Sequence, residues 1–305
     1  MPALPMNSSE FRSIVEPIMN EEFDGIYDQR ADEYSQVFKE VKGTPRSYHE
    51  EPVLYGFGAA PAMPEGTTVT YRSGGVLYIK RYIYEVYGLA FALTKVLVED
   101  GDHIRIGQIY AQHLAQAMIE TKELLGADVL NQSFSSSAPG GDGVSLINSA
   151  HPIVGGTASN VLASPAALSQ TSVEQMLIQI RQAIDSTGKK IRLTPRKLIL
   201  SPSNVFQGEV ILKSVLRSGN ANNDINPIKS MGMLAEGQAN LSRLTSNTAW
   251  WIETDATRGL QLLMRRKLEK SMEGDFDTDS MRYKSTERYN FGWTDWRGVY
   301  GTPGI

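Results

Sequence analysis

Residues 100–131 form the longest helical pattern in the chain, and a helix of that length limits what the other segments can be. Ile106, Ile109, Tyr110, Leu114, Ala117, Thr121, Leu124 and Leu125 follow steps of three and four, and Gln108, Gln112, Glu120 and Glu123 fall on the other side. Asp100 and Asp102 stand where an N-cap and a first-turn acid belong, and no proline interrupts before the Ser/Gly loop that begins near Ser133. At 1.5 Å per residue, about 28 residues reach roughly 40 Å, longer than a typical globular helix. A rod of this length is expected to serve as the backbone on which other elements are laid.

The flanking segments differ in character. Residues 1–48 carry Glu21, Glu22 and Asp24 with Phe23, Tyr27, Tyr34 and Phe38 between and after them. A short helix is expected around Gln29 to Lys42, and the whole segment reads as an arm that needs a partner surface. From Glu51 to Tyr87 the composition turns to Thr, Val, Ile and Tyr, punctuated by Gly56, Gly58, Pro61, Pro64 and Gly66. Thr67–Tyr71 and Val76–Tyr87 around the turn Ser73-Gly74-Gly75 predict a long hairpin. Few of its positions alternate cleanly, so the hairpin is expected to project from the body and to find its burial elsewhere.

Beyond the rod, residues 133–164 read as loop with short extended pieces. Ser172 and Gln175 suggest a capping box for a helix whose apolar face is Val173, Met176, Leu177, Ile180 and Ile184, ended by Gly188. Lys197–Leu200 reads as a buried strand, Ser201-Pro202 as the start of a helix running to about Leu216, and Ala249–Ile252 as a second strand. Residues 135–252 therefore look like an α/β unit. Strands at Leu260–Leu268 and Met281–Phe291 follow, so this unit is expected to be inserted into a second, sheet-and-helix domain.

Composition and motifs exclude more than they assign. The 305 residues suffice for about two domains, and the 41% hydrophobic content is that of an ordinary folded chain. A net charge of −4 argues against a general nucleic-acid coat, and zero cysteine removes disulfides, thiolate catalysis and cysteine zinc sites. The N-terminal residues lack a signal-peptide pattern and no run of about 18 apolar residues occurs, so a cytoplasmic product is expected and the three Asn-X-Ser sequons carry no weight. His49, His103, His113 and His151 read as isolated, with His103 and His113 roughly 80° apart around the rod. Gly140-Gly141-Asp142-Gly143 lacks the Lys-Ser/Thr of a phosphate loop and reads as a flexible surface loop. Neither HExxH nor GxSxG is present. No catalytic, metal or cofactor set is expected.

Three basic clusters remain: Arg265, Arg266 and Lys267; Arg282, Lys284 and Arg288, on one face of a strand by alternation; and Lys189, Lys190, Arg192, Arg196 and Lys197. A solvated or salt-bridged sheet face explains such runs, as does contact with acidic groups of a neighbouring subunit or with phosphates.

The order of segments resembles the major capsid proteins of tailed bacteriophages, the Hong Kong-97-type fold. LYGFGAAPAMPEG and YIYEVYGLAFALTKVLVEDGDH before the helix carry the resemblance, as do SAHPIVGGTASN, SVEQMLIQIRQAI, LTPRKLILSPSNVFQGEVILKS, NDINPIK, TAWWIETD and FGWTDWRGVYGTPG after it. The resemblance implies an α+β fold with an N-terminal arm (1–48), an E-loop hairpin with the first peripheral-domain strands (49–98), a spine helix (99–134), an axial domain (135–255) and C-terminal peripheral strands (256–305). It implies self-assembly into hexamers and pentamers of an icosahedral head enclosing double-stranded DNA, with portal and scaffolding proteins as partners, decoration proteins as further ones, only weak non-specific DNA contact and no membrane. Scaffolding is expected to be a separate protein, or the chain a processed form, because no long charged segment precedes the arm. Phe57, Thr67, Tyr71, Arg72, Tyr78 and Lys80 of the hairpin, with Arg265, Arg266, Arg282, Lys284 and Arg288, are the candidate intersubunit contacts. Some relatives crosslink lysine to asparagine; Lys80 lies in the hairpin, but no catalytic acid is evident and crosslinking is not expected. The alternatives are an encapsulin-like compartment shell and, from another class, a soluble α/β hydrolase or transferase.

Overall fold

The computed structural model describes residues 8–29, 32–94, 103–217, 224–275 and 280–305. In chain order these hold α1 (Ser8–Tyr27), a 3₁₀ turn (Tyr34–Gln36), β1 (Lys39–Lys42), β2 (Tyr48–Tyr55), β3 (Gly75–Ile83), β4 (Glu85–Thr94) and α2 (His103–Asn131). There follow β5 (His151–Ile153), β6 (Gly156–Ala158), α3 (Gln170–Arg181), β7 (Pro195–Leu200), a 3₁₀ turn (Pro202–Asn204), α4 (Val205–Lys213) and α5 (Pro227–Ser230). The chain closes with β8 (Gln238–Asn240), β9 (Trp250–Thr254), β10 (Leu260–Asp275), β11 (Ser280–Trp293), a 3₁₀ turn (Trp296–Gly298) and β12 (Val299–Thr302).

The rod α2 is present and, at 1.5 Å per residue, about 43 Å long. Asp100 and Asp102, expected to cap it, lie outside the described residues. Its buried stripe is not the one the large apolar residues suggest. Ala111, Leu114, Ala115 and Met118 are buried, while Ile109, Tyr110 and Leu124 are exposed. The small side chains let α1 come close, and Val15, Met19 and Phe23, four residues apart on one seam of α1, pack there with Leu93, Met272 and Tyr283. Burial of each contributes about 1.5–3 kcal/mol. The polar face expected to meet water also carries contacts: Gln108 and Gln112 donate to Glu22 at 3.1 and 2.8 Å. Glu123 is buried and accepts the amides of Glu33 and Tyr34 at 2.7 and 3.1 Å.

The arm therefore holds a helix, but at Ser8–Tyr27 and not at Gln29–Lys42, where the chain makes a 3₁₀ turn and then β1. β1 runs parallel to β10 and opens a sheet of order β1-β10-β11-β4, across which α1 and α2 lie.

A second sheet, of order β12-β9-β7-β8, forms the inserted α/β unit. α3 is capped one turn earlier than expected, by Ser169 in a reciprocal pair with Ser172, and ends at Arg181, well before Gly188. The Ser201-Pro202 helix is a 3₁₀ turn continued as α4 and stops at Lys213. The closing strand departs from the expected division, which runs residues 256–305 with the peripheral strands: β12 pairs with β9 in the second sheet. The two sheets share one core, in which Leu260, Leu262, Tyr289 and Trp293 pack with Trp250, Trp251, Trp296 and Tyr300. At the joint, Gly259 and Gly298 touch backbone to backbone; a Cβ on Gly298 would lie 2.4 Å from the Gly259 Cα.

Candidate intersubunit surface

The hairpin is real, but its strands are β2 and β3, paired antiparallel from Tyr48↔Ile83 to Tyr55↔Gly75. Thr67–Tyr71, rich in strand-forming residues, lies in the connecting loop 56–74 and pairs with no strand among the described residues. The stem is held to the body by a buried relay. Thr294 donates its hydroxyl to Glu51 at 2.5 Å, so the Tyr82 hydroxyl, 2.5 Å from the same Thr294 oxygen, donates to it. Tyr78 donates to the Thr294 carbonyl at 2.9 Å, and Arg258 to the Pro52 carbonyl at 3.0 Å. Burial raises both tyrosine hydroxyls above their usual range.

The loop has few such anchors. Lys189 donates to the Phe57 carbonyl at 2.7 Å and Thr67 folds onto the Pro64 carbonyl at 2.7 Å. Tyr71 is 94% exposed, and Leu54, Phe57, Met63 and Val69 stand in water with it. The exposed apolar surface continues along the stem through Val76, Ile79 and Ile83, onto β4 at Val86 and Leu89. A separate exposed group lies on the inserted unit, where Phe206 is 84% exposed and Val210, Val215, Leu216, Ile225 and Met231 are also exposed. Apolar exposure on this scale marks surfaces that meet other protein.

The structure divides the sequence-derived contact residues. Phe57, Thr67, Tyr71 and Arg72 lie in the exposed loop, and Lys284 is exposed on β11. Tyr78 and Lys80 face the body: Lys80 sits 5.8 and 5.7 Å from the Tyr82 and Trp293 ring centres, 3.4 Å from the Pro139 carbonyl, and burial lowers its pKa. The remaining arginines are engaged within the chain. Arg265 donates to the Pro45 carbonyl at 2.7 Å, and Arg266 pairs with Glu269 at 3.0 Å. Arg282 pairs with Asp275, and Arg288 donates to the Tyr84 carbonyl at 3.5 Å.

Two buried polar centres escape sequence reasoning. The Gly140–Gly143 segment is no free surface loop: the Asp142 side chain is fully buried beside His151, at 2.6 Å from Nδ1. Asn160 gives its amide hydrogens to the carbonyls of Leu146, Trp296 and Val299, so its oxygen faces His151 Nε2 at 3.1 Å. His151 lies flat on Trp296, with ring centres 4.5 Å apart. The second centre is Lys122, 2.6 Å from Glu287, with the Tyr27, Tyr34 and Tyr289 rings 5.2–5.9 Å away. Residues of opposite charge on two apolar-patterned elements would have flagged it, but only once α2 and β11 were known to touch. Both centres are closed to a substrate and serve to fix elements. Among the described residues no group of three or more His, Cys, Asp or Glu could hold a metal, and no helix is long and apolar enough to cross a membrane.

A family model described as phage capsid protein matches residues 84–302. No curated protein matches the sequence. The fold is similar to that in the capsid structure of cyanophage P-SCSP1u, at a TM-score of 0.56 and 9% identity over 90% of this chain and 89% of that one. It is similar to the mature capsid of bacteriophage PhiM1, at 0.54 and 10% over 90% and 87%. It is also similar to the virus-like particle from Pyrococcus furiosus, at 0.52 and 8% over 94% and 98%.

Proposed function

Because the chain belongs to the phage capsid protein family, and so is a structural protein of the capsid shell with the Hong Kong-97-type fold, we propose that it forms the hexamers and pentamers of an icosahedral head enclosing double-stranded DNA. In this reading residues 1–48 are the arm, 49–98 the E-loop with the first peripheral strands, 99–134 the spine, 135–255 together with β12 the axial domain, and 256–298 the last peripheral strands. Portal and scaffolding proteins take part in assembly, decoration proteins are further partners, and the shell forms in the host cytoplasm. The protein needs no catalytic activity for this role.

The observation that carries the reading is the exposed apolar loop 56–74 on a firmly anchored stem. A single copy holds the stem but leaves Tyr71 and its neighbours uncovered, which suits a contact completed by a second copy. The group around Phe206 on the inserted unit is a second such surface, suited to copies meeting about a symmetry axis. Many modest contacts of this kind add through multivalency, so the shell is stable although no single interface need be. The modest negative charge suits a container that must not grip its DNA.

Replacing residues 57–73 by a short turn tests the reading. The variant should remain folded and soluble and yield no closed shells on co-expression with its neighbouring genes. Normal shells from it would remove the loop from assembly.

A further inference from the structure

A cleft of about 590 Å³ opens where the arm and both sheets meet, lined by Gln36 and Lys39 from the arm side, Lys197 and Glu253 from the second sheet, and Arg258 and Gln261 from the start of β10. Two oxygens in it accept no hydrogen bond among the described residues: Glu253 Oε2 and Gln261 Oε1. Gln261 is only 4% exposed. A carboxylate and an amide carbonyl oxygen are both acceptors, and a cationic N–H donor is the group that would satisfy the pair most strongly.

The charged groups around the cleft narrow the choice. Arg196 and Lys197 both pair with Glu236, at 2.7 and 3.3 Å, and Lys197 also donates to the Gln36 carbonyl. Arg258 is turned to the Pro52 carbonyl. Asp255 accepts the Thr194 amide at 2.8 Å, and Glu51 takes the Thr294 hydroxyl and faces His49 at 3.2 Å. Lys39 is exposed and has neither an ion pair nor a hydrogen bond among the described residues. Its position is the decisive fact. In the parallel pairing of β1 with β10, Lys39 stands opposite Gln261, on the neighbouring strand about 4.8 Å away.

We propose that Lys39 closes into this cleft and gives its ammonium hydrogens to Glu253 and Gln261, tying β1, β9 and β10 together at the point where the arm leaves the body. The closure is a change of side-chain rotamer of Lys39, which lines the same cleft as Glu253. It supplies the donor that two buried oxygens lack, and it fastens an edge strand of only four residues to both sheets. Ionisation of Glu253 favours the closed form, because burial pushes this carboxyl up to about 7 although Lys197, opposite it on β7, and Arg196 pull it down, and a bound ammonium would lower it further. Closure is therefore a neutral-to-alkaline state that opens as Glu253 gains a proton.

The test uses the full chain and does not depend on shell formation. Zero-length carbodiimide coupling at pH 7, read by peptide mass spectrometry, should give a Lys39–Glu253 link that Glu253→Gln abolishes. At pH 8, Lys39→Met should lower the denaturation midpoint, and Lys39→Met combined with Glu253→Gln should show less than the sum of the single effects. In Lys39→Met the Glu253 carboxyl, followed by carbon-13 NMR, should titrate about one unit higher than in the parent chain. Additive effects with no Lys39–Glu253 link would overturn the proposal. So would a link from Glu253 to a lysine of another copy, detected in a mixture of isotopically light and heavy chains.

Discussion

The Lys122–Glu287 pair gives the sharpest quantitative prediction. Their side chains are 6% and 1% exposed, the charged atoms are 2.6 Å apart, and Tyr27 donates to the other Glu287 oxygen at 2.5 Å. Lys122→Met keeps most of the stem volume but leaves the Glu287 carboxylate buried with only the Tyr27 hydroxyl for support. Breaking a buried pair on one side costs about 3–5 kcal/mol, whereas removing both charges with good packing is often near neutral. Lys122→Met together with Glu287→Gln restores a neutral site, since the glutamine oxygen still accepts from Tyr27. The double variant should therefore be more stable than Lys122→Met by about 2–3 kcal/mol, although it carries one more substitution. Urea denaturation of the unassembled subunit, followed by far-ultraviolet circular dichroism and tryptophan fluorescence, measures both. A cost below about 1 kcal/mol for Lys122→Met, or strictly additive costs, would refute the claim that this pair holds α1, α2 and β11 in register.

Three further outcomes follow from the geometry. With its folded-state pKa raised from 4.5 to about 7, Glu253 stabilises the fold fully below pH 4.5, and this contribution is lost as pH rises to about 7. Compared with Glu253→Gln in a Lys39→Met background, the glutamate chain should lose up to about 3 kcal/mol over that window, measured by denaturation at a series of pH values; a flat difference would contradict it. Gly298→Ala forces a Cβ against the Gly259 backbone and should cost more than about 2 kcal/mol, seen as a lowered melting temperature or insoluble product. Tyr71→Asp, at a position 94% exposed, should change subunit stability by less than about 0.5 kcal/mol while reducing the yield of shells on electron micrographs.

The rod, the hairpin and the split of strands around an inserted α/β unit were legible because periodicity and turn residues are local signals. The rod's contact face was not, because small residues such as Ala111 and Ala115 carry little hydrophobic weight yet permit the closest helix approach. Thr67–Tyr71 looked like a strand, since β propensity reports fit to a sheet surface and this chain alone offers none there. The true partner of Gly75–Ile83 in the hairpin, Tyr48–Tyr55, was hidden by Glu50, Glu51 and Pro52. α1 was missed because Pro17 and the acidic cluster mask the Val15, Met19, Phe23 seam. At the candidate surface, exposure of Phe57, Thr67, Tyr71 and Arg72 was foreseen, whereas Tyr78, Lys80 and most of the arginines are engaged by partners more than 200 residues away or across a sheet, which no local pattern reports.

The most direct test of the central claim is to express the full chain with its neighbouring genes and to determine the product's size by sedimentation and its form by cryo-electron microscopy. The account requires closed icosahedral shells or capsomer rings in which the 56–74 loop is covered by a second copy. A stable monomer or dimer with that loop still exposed to water would contradict it.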